Sequence, residues 1–493
     1  MMYLIERLEH WAKQTPNGVA IKFQDQSFSF LEVLGKVENV TSYLRNELGV
    51  KAGNRVAYIG INHPNMLFIL FACAHLGAIF SPLNSRLARD EYEYLIDNSD
   101  PVVCFYDENF LQIISEINSL SCSFVATEQL RKQRNRTGFE NHHDPHEPLL
   151  LVYTSGTTGR PKGVLLSHHA VAVNIENGQH LYGFEPHQNV LVTLPLFHVG
   201  GLCILLLPAL MHGATIHLHD RFDPTATISC LEEERITTSI FVPAQMMALM
   251  AHKQWETSDF SAMSHVVVGS SITPLAQIQA WHTRGVPVSQ IYGATETGPI
   301  AIGLAIEDAM FREGAAGNAA KCCTIEIRNT DGEVCVTGES GEIWVQGANI
   351  FSGYWRDKVE TDLVLQNGWY NTGDIGYRDE DGFYWIVDRS KDVIISGGEN
   401  IYPAEIESVA LQHPSIEAIA VVGKPDPRWG ETPVAAIELK VGHSLRESEF
   451  RSFLEHKVAK FKHPKSILLF DKLPRNGMGK IEKTKIRDLV ERS

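Results

Sequence analysis

Cysteine is scarce in this chain and does not occur in the usual paired motifs. Its eight cysteines stand at positions 73, 104, 122, 203, 230, 322, 323 and 335, and no Cys-x-x-Cys motif occurs among them. Zinc sites and disulfide frameworks need regularly spaced thiols, so the sequence predicts neither. Free thiols in a reducing compartment are the simplest interpretation, which points to the cytoplasm.

Long apolar runs are missing as well. The most apolar stretches, residues 66–80 and 202–211, are shorter than the roughly 20 residues that a membrane-spanning helix needs. Both are predicted to be buried helices. The N-terminal segment MMYLIERLEHWAKQTP alternates charged and apolar residues and lacks the apolar core of a signal peptide. We therefore expect a cytoplasmic protein with no integral membrane segment.

Positive charge is in the minority. With 43 Lys and Arg against 59 Asp and Glu, the net charge is −16, which argues against a nucleic acid as the main partner. The 44% share of hydrophobic residues and the 21% share of charged residues are those of a globular protein with a large core. At 493 residues, the length suggests about three domains of average size.

Short apolar runs that alternate with helical spacing predict an α/β fold. Strands are predicted at 55–60, 102–106, 149–153, 189–194, 214–218, 238–242, 265–268 and 286–291. Helices such as 223–235 and 273–284 lie between several of them, which indicates parallel-rich sheets covered by helices on both faces. After about residue 324, shorter strands separated by turns predict a barrel-like β subdomain. From residue 392 onward, strand, helix, two strands, helix and strand predict a small α+β C-terminal domain.

A phosphate-binding loop is predicted directly after the strand at 149–153. Residues 153–164 read YTSGTTGRPKGV. Glycines let backbone N–H groups approach an anion, hydroxyl groups donate to its oxygens, and a lysine adds positive charge. The nucleotide-binding residues predicted here are Thr154, Ser155, Gly156, Thr157, Thr158, Gly159 and Lys162. The loop is not that of the P-loop NTPases, because Pro161 precedes the lysine and Gly163 follows it.

Six segments together resemble the adenylate-forming superfamily of acyl- and aryl-CoA ligases, adenylation domains and luciferases. In chain order they are YTSGTTGRPKGV (153–164), LPLFHVGG (194–201), YGATETG (292–298), TGD (372–374), DRSKD through SGGEN (388–400) and PRNGMGKI (474–481). The resemblance implies an adenylation domain at 1–388, a hinge at 389–391 and a small mobile domain at 392–493. It also implies ATP, Mg²⁺ and coenzyme A as cofactors or co-substrates.

The resemblance further implies how the nucleotide is held. Glu296 and Thr154 would bind magnesium, since a hard cation prefers oxygen ligands, and Thr295 would lie beside a phosphate. Tyr292 and Gly293 would lie near the adenine. On the residues alone, Glu296 could instead cap a helix. Asp374 and Arg389 would bind the ribose hydroxyls; the simpler alternative for that pair is an ordinary salt bridge.

Three further roles come from the resemblance. Lys480, in a glycine-containing segment, is the predicted catalytic lysine that bridges the carboxylate and the α-phosphate. His198 is a predicted gate at the pocket mouth, although a core histidine would also fit the sequence. The small domain is expected to rotate about Lys391, which would bring Gly397 and Gly398 to the pantetheine tunnel for the second half-reaction.

These features favour an ATP-dependent acid–CoA ligase acting on an aryl or a medium- to long-chain fatty carboxylic acid. The alternatives are a 2-succinylbenzoate–CoA ligase, an adenylation enzyme that loads a carrier protein, and a non-catalytic homologue. Many relatives have Gly-Gly-Ala or three glycines where this chain has Gly269-Ser270-Ser271. The two hydroxymethyl groups would make the pocket shallower or more polar, which favours an aryl or medium-size acid over a very long chain. A homodimer is a further possibility. His142, His143 and His146, with Asp144, could form a metal site, but histidines in such a polar connector are usually solvated. The predicted pocket wall consists of Phe197, Val199, Val242, Met246, Met247 and Pro299.

Overall fold

The computed structural model of this protein describes residues 1–117, 122–132, 144–155, 161–269, 273, 275–329, 331–389, 394–401, 403–474, 481 and 483–491. Within them the strands are, in chain order, β1 (Val19–Phe23), β2 (Gln26–Ser29), β3 (Arg55–Ile59), β4 (Ile79–Leu83), β5 (Val103–Tyr106), β6 (Ser123–Ala126), β7 (Pro148–Ser155), β8 (Pro161–Ser167), β9 (Asn189–Val192), β10 (Thr215–Leu218), β11 (Thr238–Phe241), β12 (His265–Val268), β13 (Val288–Tyr292), β14 (Ile302–Gly303), β15 (Asn318–Ala319), β16 (Cys323–Arg328), β17 (Gly341–Gly347), β18 (Gly353–Tyr354), β19 (Leu365–Gln366), β20 (Trp369–Arg378), β21 (Tyr384–Arg389), β22 (Ile394–Ser396), β23 (Glu399–Ile401), β24 (Ile416–Asp426), β25 (Gly430–Leu439) and β26 (Ser466–Phe470).

One helix precedes the first strand, and the others lie between the strands or after the last of them. They are α1 (Leu4–Gln14), α2 (Phe30–Ser42), α3 (Pro64–Leu76), α4 (Arg89–Ser99), α5 (Leu111–Ser115), α6 (His168–Tyr182), α7 (Leu207–Leu210), α8 (Pro224–Glu233), α9 (Pro243–Met250), α10 (Leu275–Thr283), α11 (Ile306–Ala309), α12 (Lys358–Val364), α13 (Pro403–Ala410), α14 (Glu447–Leu454) and α15 (Lys483–Glu491). The described part of the chain contains no helix that is both long and apolar enough to cross a bilayer.

Two large sheets form the body of the protein. One has nine strands in the order β15-β14-β13-β12-β11-β9-β10-β1-β2, and the other has seven in the order β18-β8-β7-β4-β3-β5-β6. The central pairs β12–β13, β11–β12 and β3–β4 are parallel, as strands with nearly continuous apolar sequence predict. The parallel-rich α/β body expected from the sequence is confirmed.

Helix α3 is buried on all sides in the main hydrophobic core. Every residue from Met66 to Leu76 is buried, which explains why its sequence shows no polar face. The prediction of one helix over 66–80 is wrong at its C-terminal end. Gly77 adopts a left-handed conformation with φ of +68° and ends the helix, and the chain then continues into β4.

A third sheet is antiparallel and forms the barrel-like part. Its order is β16-β17-β20-β19, with β21 paired to β20. Asp374 and Arg389 face each other in the β20–β21 register. The two segments predicted to bind ribose are therefore neighbours in the sheet, although they are separated by 14 residues in the sequence.

The C-terminal part has its own sheet and its own core. Its order is β23-β22-β25-β24, with β26 parallel to β25. Helices α13 and α14 pack on one face and α15 on the other, and separate apolar clusters lie on the two sides. This is the predicted small α+β unit, with α15 as an additional helix that the sequence prediction lacked.

Candidate active site

A cavity of about 260 Å³ lies where the body meets the C-terminal unit. From the body it is lined by residues of the β7–β8 hairpin, which is predicted to bind phosphate, of segment 194–201 and of segment 293–299. From the C-terminal unit it is lined by Gly397, Gly398, Glu399, Phe461 and Lys462. Segments that are hundreds of residues apart in the sequence therefore share one cavity.

Segment 292–299 is held in place by tight backbone packing and buried amides. A side chain on Gly293 would place its Cβ 1.7 Å from the carbonyl oxygen of Pro299, so only glycine fits there. The fully buried Asn349 donates from Nδ2 to the carbonyl of Thr297 at 2.5 Å, and Ile300 N–H donates to Asn174 Oδ1 at 3.0 Å. These bonds fix the turn that presents Thr295 and Glu296 to the cavity.

Glu296 is only 8% exposed and is oriented by Tyr354, a residue that the sequence analysis did not single out. The Tyr354 hydroxyl donates to Glu296 Oε1 at 2.8 Å. Burial, and then the negative charge of Glu296, raise the pKa of Tyr354 well above its ordinary value, so the phenol remains a donor. Since Thr154 and Glu296 both line the cavity, their oxygens form a donor set that suits magnesium.

The predicted phosphate-binding loop connects two antiparallel strands. Thr154 pairs with Lys162 and Ser155 with Pro161 in the β7–β8 register. Lys162 Nζ lies 2.5 Å from Glu360 Oε1 on α12 and 5.3 Å from the centre of the Tyr354 ring. The lysine predicted to bind phosphates is thus paired with a carboxylate. Gly156, Thr157, Thr158 and Gly159 lie outside the described residues.

The residues predicted to bind the nucleoside are close together. Tyr292 ends β13, and its hydroxyl donates to Asp374 Oδ2 on β20 at 2.8 Å. The backbone of Arg389 is paired opposite Asp374. This hydrogen bond between the predicted adenine and ribose positions links two sheets, and no spacing in the sequence could have predicted it.

His198 lies at the cavity wall and contacts the C-terminal unit. Asn62 shapes its segment by donating to the carbonyl of Leu194 at 2.9 Å and accepting from Leu196 N–H at 2.8 Å. His198 Nε2 lies 3.1 Å from Glu399 Oε2. His198 therefore lies at the cavity and not in the core, and its role as a gate stays a prediction.

Glu399 is a buried carboxylate between His198 and Arg86, whose guanidinium also pairs with it. Burial alone would raise the pKa of Glu399, but the charges of His198, Arg86 and Lys462 outweigh burial and hold that pKa below its ordinary value. The sequence analysis missed both Glu399 and Arg86. The only available signal was the position of Glu399 directly after the Gly-Gly pair.

Gly397 and Gly398 form the turn between β22 and β23, and both have positive φ angles. A Cβ on Gly398 would lie 2.8 Å from a methyl carbon of Val242 on the body. The absence of a side chain at this position therefore allows the C-terminal unit to approach the cavity this closely.

Phe197, Val199, Val242 and Pro299 line the cavity as predicted, together with Gln245 and Ile204. The prediction for Met246 is wrong, because its side chain is buried in a separate core cluster around Trp281. Met247 is also not among the lining residues. Lys480, Lys391, Ser270, Ser271 and most of the 142–146 histidine cluster lie outside the described residues.

Two family models match the chain. The model of the AMP-binding enzyme matches residues 8–355, and that of the AMP-binding enzyme C-terminal domain matches residues 405–480. An indoleacetate–CoA ligase of Aromatoleum aromaticum is 41% identical over 504 residues, covering 100% of this chain and 99% of the relative. A feruloyl-CoA synthase of an Amycolatopsis species is 36% identical over 482 residues, covering 97% of this chain and 96% of the relative.

Two structures of one relative match this fold, and one of them matches more closely than the other. A double mutant of the Bacillus subtilis o-succinylbenzoate CoA synthetase, bound to a product analogue, matches with a TM-score of 0.91 at 30% identity, covering 99% of this chain and 98% of that chain. The structure of that synthetase with ATP and magnesium matches with a TM-score of 0.73 at 30% identity and 98% coverage of both chains. The overall arrangement of this protein is therefore more similar to the product-analogue complex.

The fold, the cavity and these matches define the class. The chain belongs to the family of AMP-binding enzymes, the adenylate-forming superfamily that its motifs resemble. Within that family it is an AMP-forming acid–CoA ligase. The superfamily and the enzyme class predicted from the sequence are confirmed.

Proposed function

We propose that this enzyme joins an aromatic monocarboxylic acid to coenzyme A at the cavity described above. In the first step the substrate carboxylate attacks the α-phosphorus of ATP, and the bond to pyrophosphate breaks. In the second step the thiolate of coenzyme A attacks the acyl carbon, and AMP leaves. The aromatic substrates named for the two curated relatives support an aryl acid over the fatty acids that the sequence also allowed.

The main support for this proposal is that one continuous cavity joins the nucleotide side to the C-terminal unit. Thr154 and Glu296, on the nucleotide side, and Gly397 and Gly398, on the C-terminal unit, line the same space of about 260 Å³. A carboxylate activated beside Glu296 would therefore be within the cavity that the Gly-Gly turn reaches. This arrangement suits two successive reactions of one carboxyl group, the first through its oxygen and the second at its carbon.

The charges around the cavity favour a substrate with one carboxylate. The acyl side is largely apolar, with Phe197, Val199 and Ile204 in its wall. Two strong cations line the cavity among the described residues, Arg86 and Lys462, and both are already paired with glutamates. A second substrate carboxylate would have to compete with those pairs. This argues against 2-succinylbenzoate, since burying an unpaired charge is costly.

We assign the residues as follows. Thr154 and Glu296 would hold magnesium, which would supply positive charge to offset the negative charge of the phosphates. Asp374 and Arg389 hold the ribose, with Tyr292 beside them. His198 gates the acyl side. Lys480 bridges the carboxylate and the α-phosphate in the first step, and rotation about 389–391 replaces its segment by the Gly-Gly turn for the second.

The test is pyrophosphate release with ATP and magnesium, with and without coenzyme A. Indole-3-acetate and ferulate are the aryl acids, decanoate is the matched apolar monocarboxylate, and 2-succinylbenzoate is the dicarboxylate. We expect turnover that requires coenzyme A and the highest kcat/KM with an aryl monocarboxylate. A preference for 2-succinylbenzoate or decanoate would contradict the substrate class. Adenylate formation that coenzyme A does not accelerate would instead indicate a carrier protein as acceptor.

A further inference from the structure

A buried cluster of three charges joins the body to the C-terminal unit, next to the cavity. Lys462 Nζ lies 2.8 Å from Glu91 Oε1 and 2.6 Å from Glu405 Oε1. The relative exposures are 3% for Lys462, 9% for Glu91 and 6% for Glu405. Glu91 belongs to α4 of the body, whereas Glu405 and Lys462 belong to the C-terminal unit. One ammonium group thus bridges carboxylates from both parts.

Each member of the cluster is held rigidly on its own side. Glu91 is in the first turn of α4, where its Oε2 accepts from Ala88 N–H at 2.8 Å and caps the helix. Glu405 is in the first turn of α13. Lys462 is in the short helical turn that follows residue 459, and Phe461 beside it lines the cavity. The three side chains can meet only when the C-terminal unit has its present orientation relative to the body.

Burial makes this contact selective for one arrangement. A buried ion pair costs desolvation, which only good geometry repays, and removing one partner leaves an uncompensated charge. If the C-terminal unit turns away, Lys462 and Glu405 remain together, but Glu91 loses its cation. The contact therefore favours the arrangement in which Gly397 and Gly398 line the cavity.

We propose that Glu91, through Lys462, is a positioning residue that holds the C-terminal unit in place for the reaction with coenzyme A. This inference rests on the proposed two-step function and assigns no chemical step to the cluster. Glu91 does not line the cavity, so it acts through the placement of the Gly-Gly turn and not by contact with substrate. Adenylation, which we assign to the other arrangement, does not need the contact.

The test compares the two half-reactions in a Glu91→Gln variant. In the wild type, Glu91 Oε2 accepts from Ala88 N–H and Oε1 accepts from Lys462. The amide keeps one oxygen, which can still cap the helix at Ala88, but it removes the charge and the second acceptor that faces Lys462. Adenylation, measured as pyrophosphate exchange into ATP with indole-3-acetate, is expected to stay within about twofold of the wild type. Thioester formation from preformed adenylate is expected to slow about tenfold, less than for complete loss of a buried ion pair, because Lys462 keeps Glu405 as a partner. The matched control is Glu407→Gln on the same helix as Glu405, because Glu407 pairs with Lys483 inside the C-terminal unit at 2.8 Å.

A rescue experiment separates positioning from folding. Lys462→Met leaves Glu91 and Glu405 facing each other without a cation, and thioester formation is expected to fall further. Adding Glu91→Gln to Lys462→Met removes that repulsion and is expected to restore part of the rate. Equal slowing of both half-reactions in Glu91→Gln, no slowing at all, or no rescue would overturn the inference. Absence of coenzyme A-dependent turnover in the wild type would overturn the proposed function instead.

Discussion

Glu296 depends on its neighbour Tyr354 for its orientation. Tyr354 reaches it because β18 pairs with β8, with Tyr354 opposite Val164. This places the tyrosine between the predicted magnesium ligand and Lys162, whose ammonium group lies 5.3 Å from the ring centre. The hydroxyl of Tyr354 is therefore placed to orient the carboxylate that is predicted to bind magnesium.

For this residue pair, we expect Tyr354→Phe to weaken magnesium binding. The variant loses the 2.8 Å hydrogen bond to Glu296 while keeping the ring. Loss of such an orienting contact is expected to raise the magnesium concentration for half-maximal pyrophosphate release by about tenfold. Tyr384→Phe is the matched control, because its buried hydroxyl donates to the carbonyl of Ile325, away from Glu296. An unchanged magnesium requirement would exclude the orienting role of Tyr354.

Among the elements, the β22–β23 hairpin contacts the body directly at the cavity. Ser396 pairs with Glu399 across its turn, and both turn glycines need the left-handed region of backbone space that glycine favours. The turn brings Glu399 to His198 and Gly398 to Val242. In the proposed function, the second half-reaction depends on the position of this hairpin.

For this element we expect Gly398→Ala to slow thioester formation and to spare adenylation. The added Cβ would lie 2.8 Å from Val242 and would push the hairpin away from the cavity. We expect thioester formation to fall about tenfold, since positive φ costs alanine on the order of 1–2 kcal/mol in addition to the clash. Gly442→Ala is the control: its φ of +80° imposes the same backbone cost, but its Cβ would meet nothing within 4 Å. Equal effects in the two variants would contradict a role for this contact.

The whole molecule consists of a body and a C-terminal unit whose interface contains buried charge. Burial, together with the charge of Glu91, raises the pKa of Glu405 to about 7, although Lys462 opposes that shift. The groups that face Glu405 are Glu91 from α4 and Lys462 from the turn at 460–462. Once the C-terminal unit turns away from Glu91, this pKa should fall toward its ordinary value.

The arrangement with the units in contact should therefore be favoured by protonation of Glu405. A carboxyl whose pKa is raised in one arrangement stabilises that arrangement at low pH, and the stabilisation is lost as pH rises through about 7. We expect the ratio of thioester-forming rates, wild type over Glu91→Gln, to fall as the pH is raised from about 6 to about 8.5. Ionisation of the coenzyme A thiol affects both enzymes and cancels in this ratio. A ratio independent of pH would exclude this coupling.

The sequence alone determined the class of the protein and most of its strands. Glycines and hydroxyls after the apolar run at 149–152 predicted a phosphate site, because backbone freedom and donor groups are local properties of the residues. Short apolar runs likewise predicted the parallel-rich sheets, because strands that are buried on both faces are apolar at nearly every position. The end of α3 was missed, because a glycine in an apolar stretch does not by itself distinguish a helix end from a helix interior.

Only the tertiary structure decided which distant side chains meet. Tyr354 with Glu296, Glu360 with Lys162, and Lys462 with Glu91 are pairs of unlike residues separated by 58 to 371 positions. Viewed in the sequence, Tyr354, Glu360, Glu91 and Lys462 have the features of ordinary surface residues. Their burial and partners arise from how sheets pack against each other and against the C-terminal unit, and such long-range contacts leave no periodic signal in the sequence.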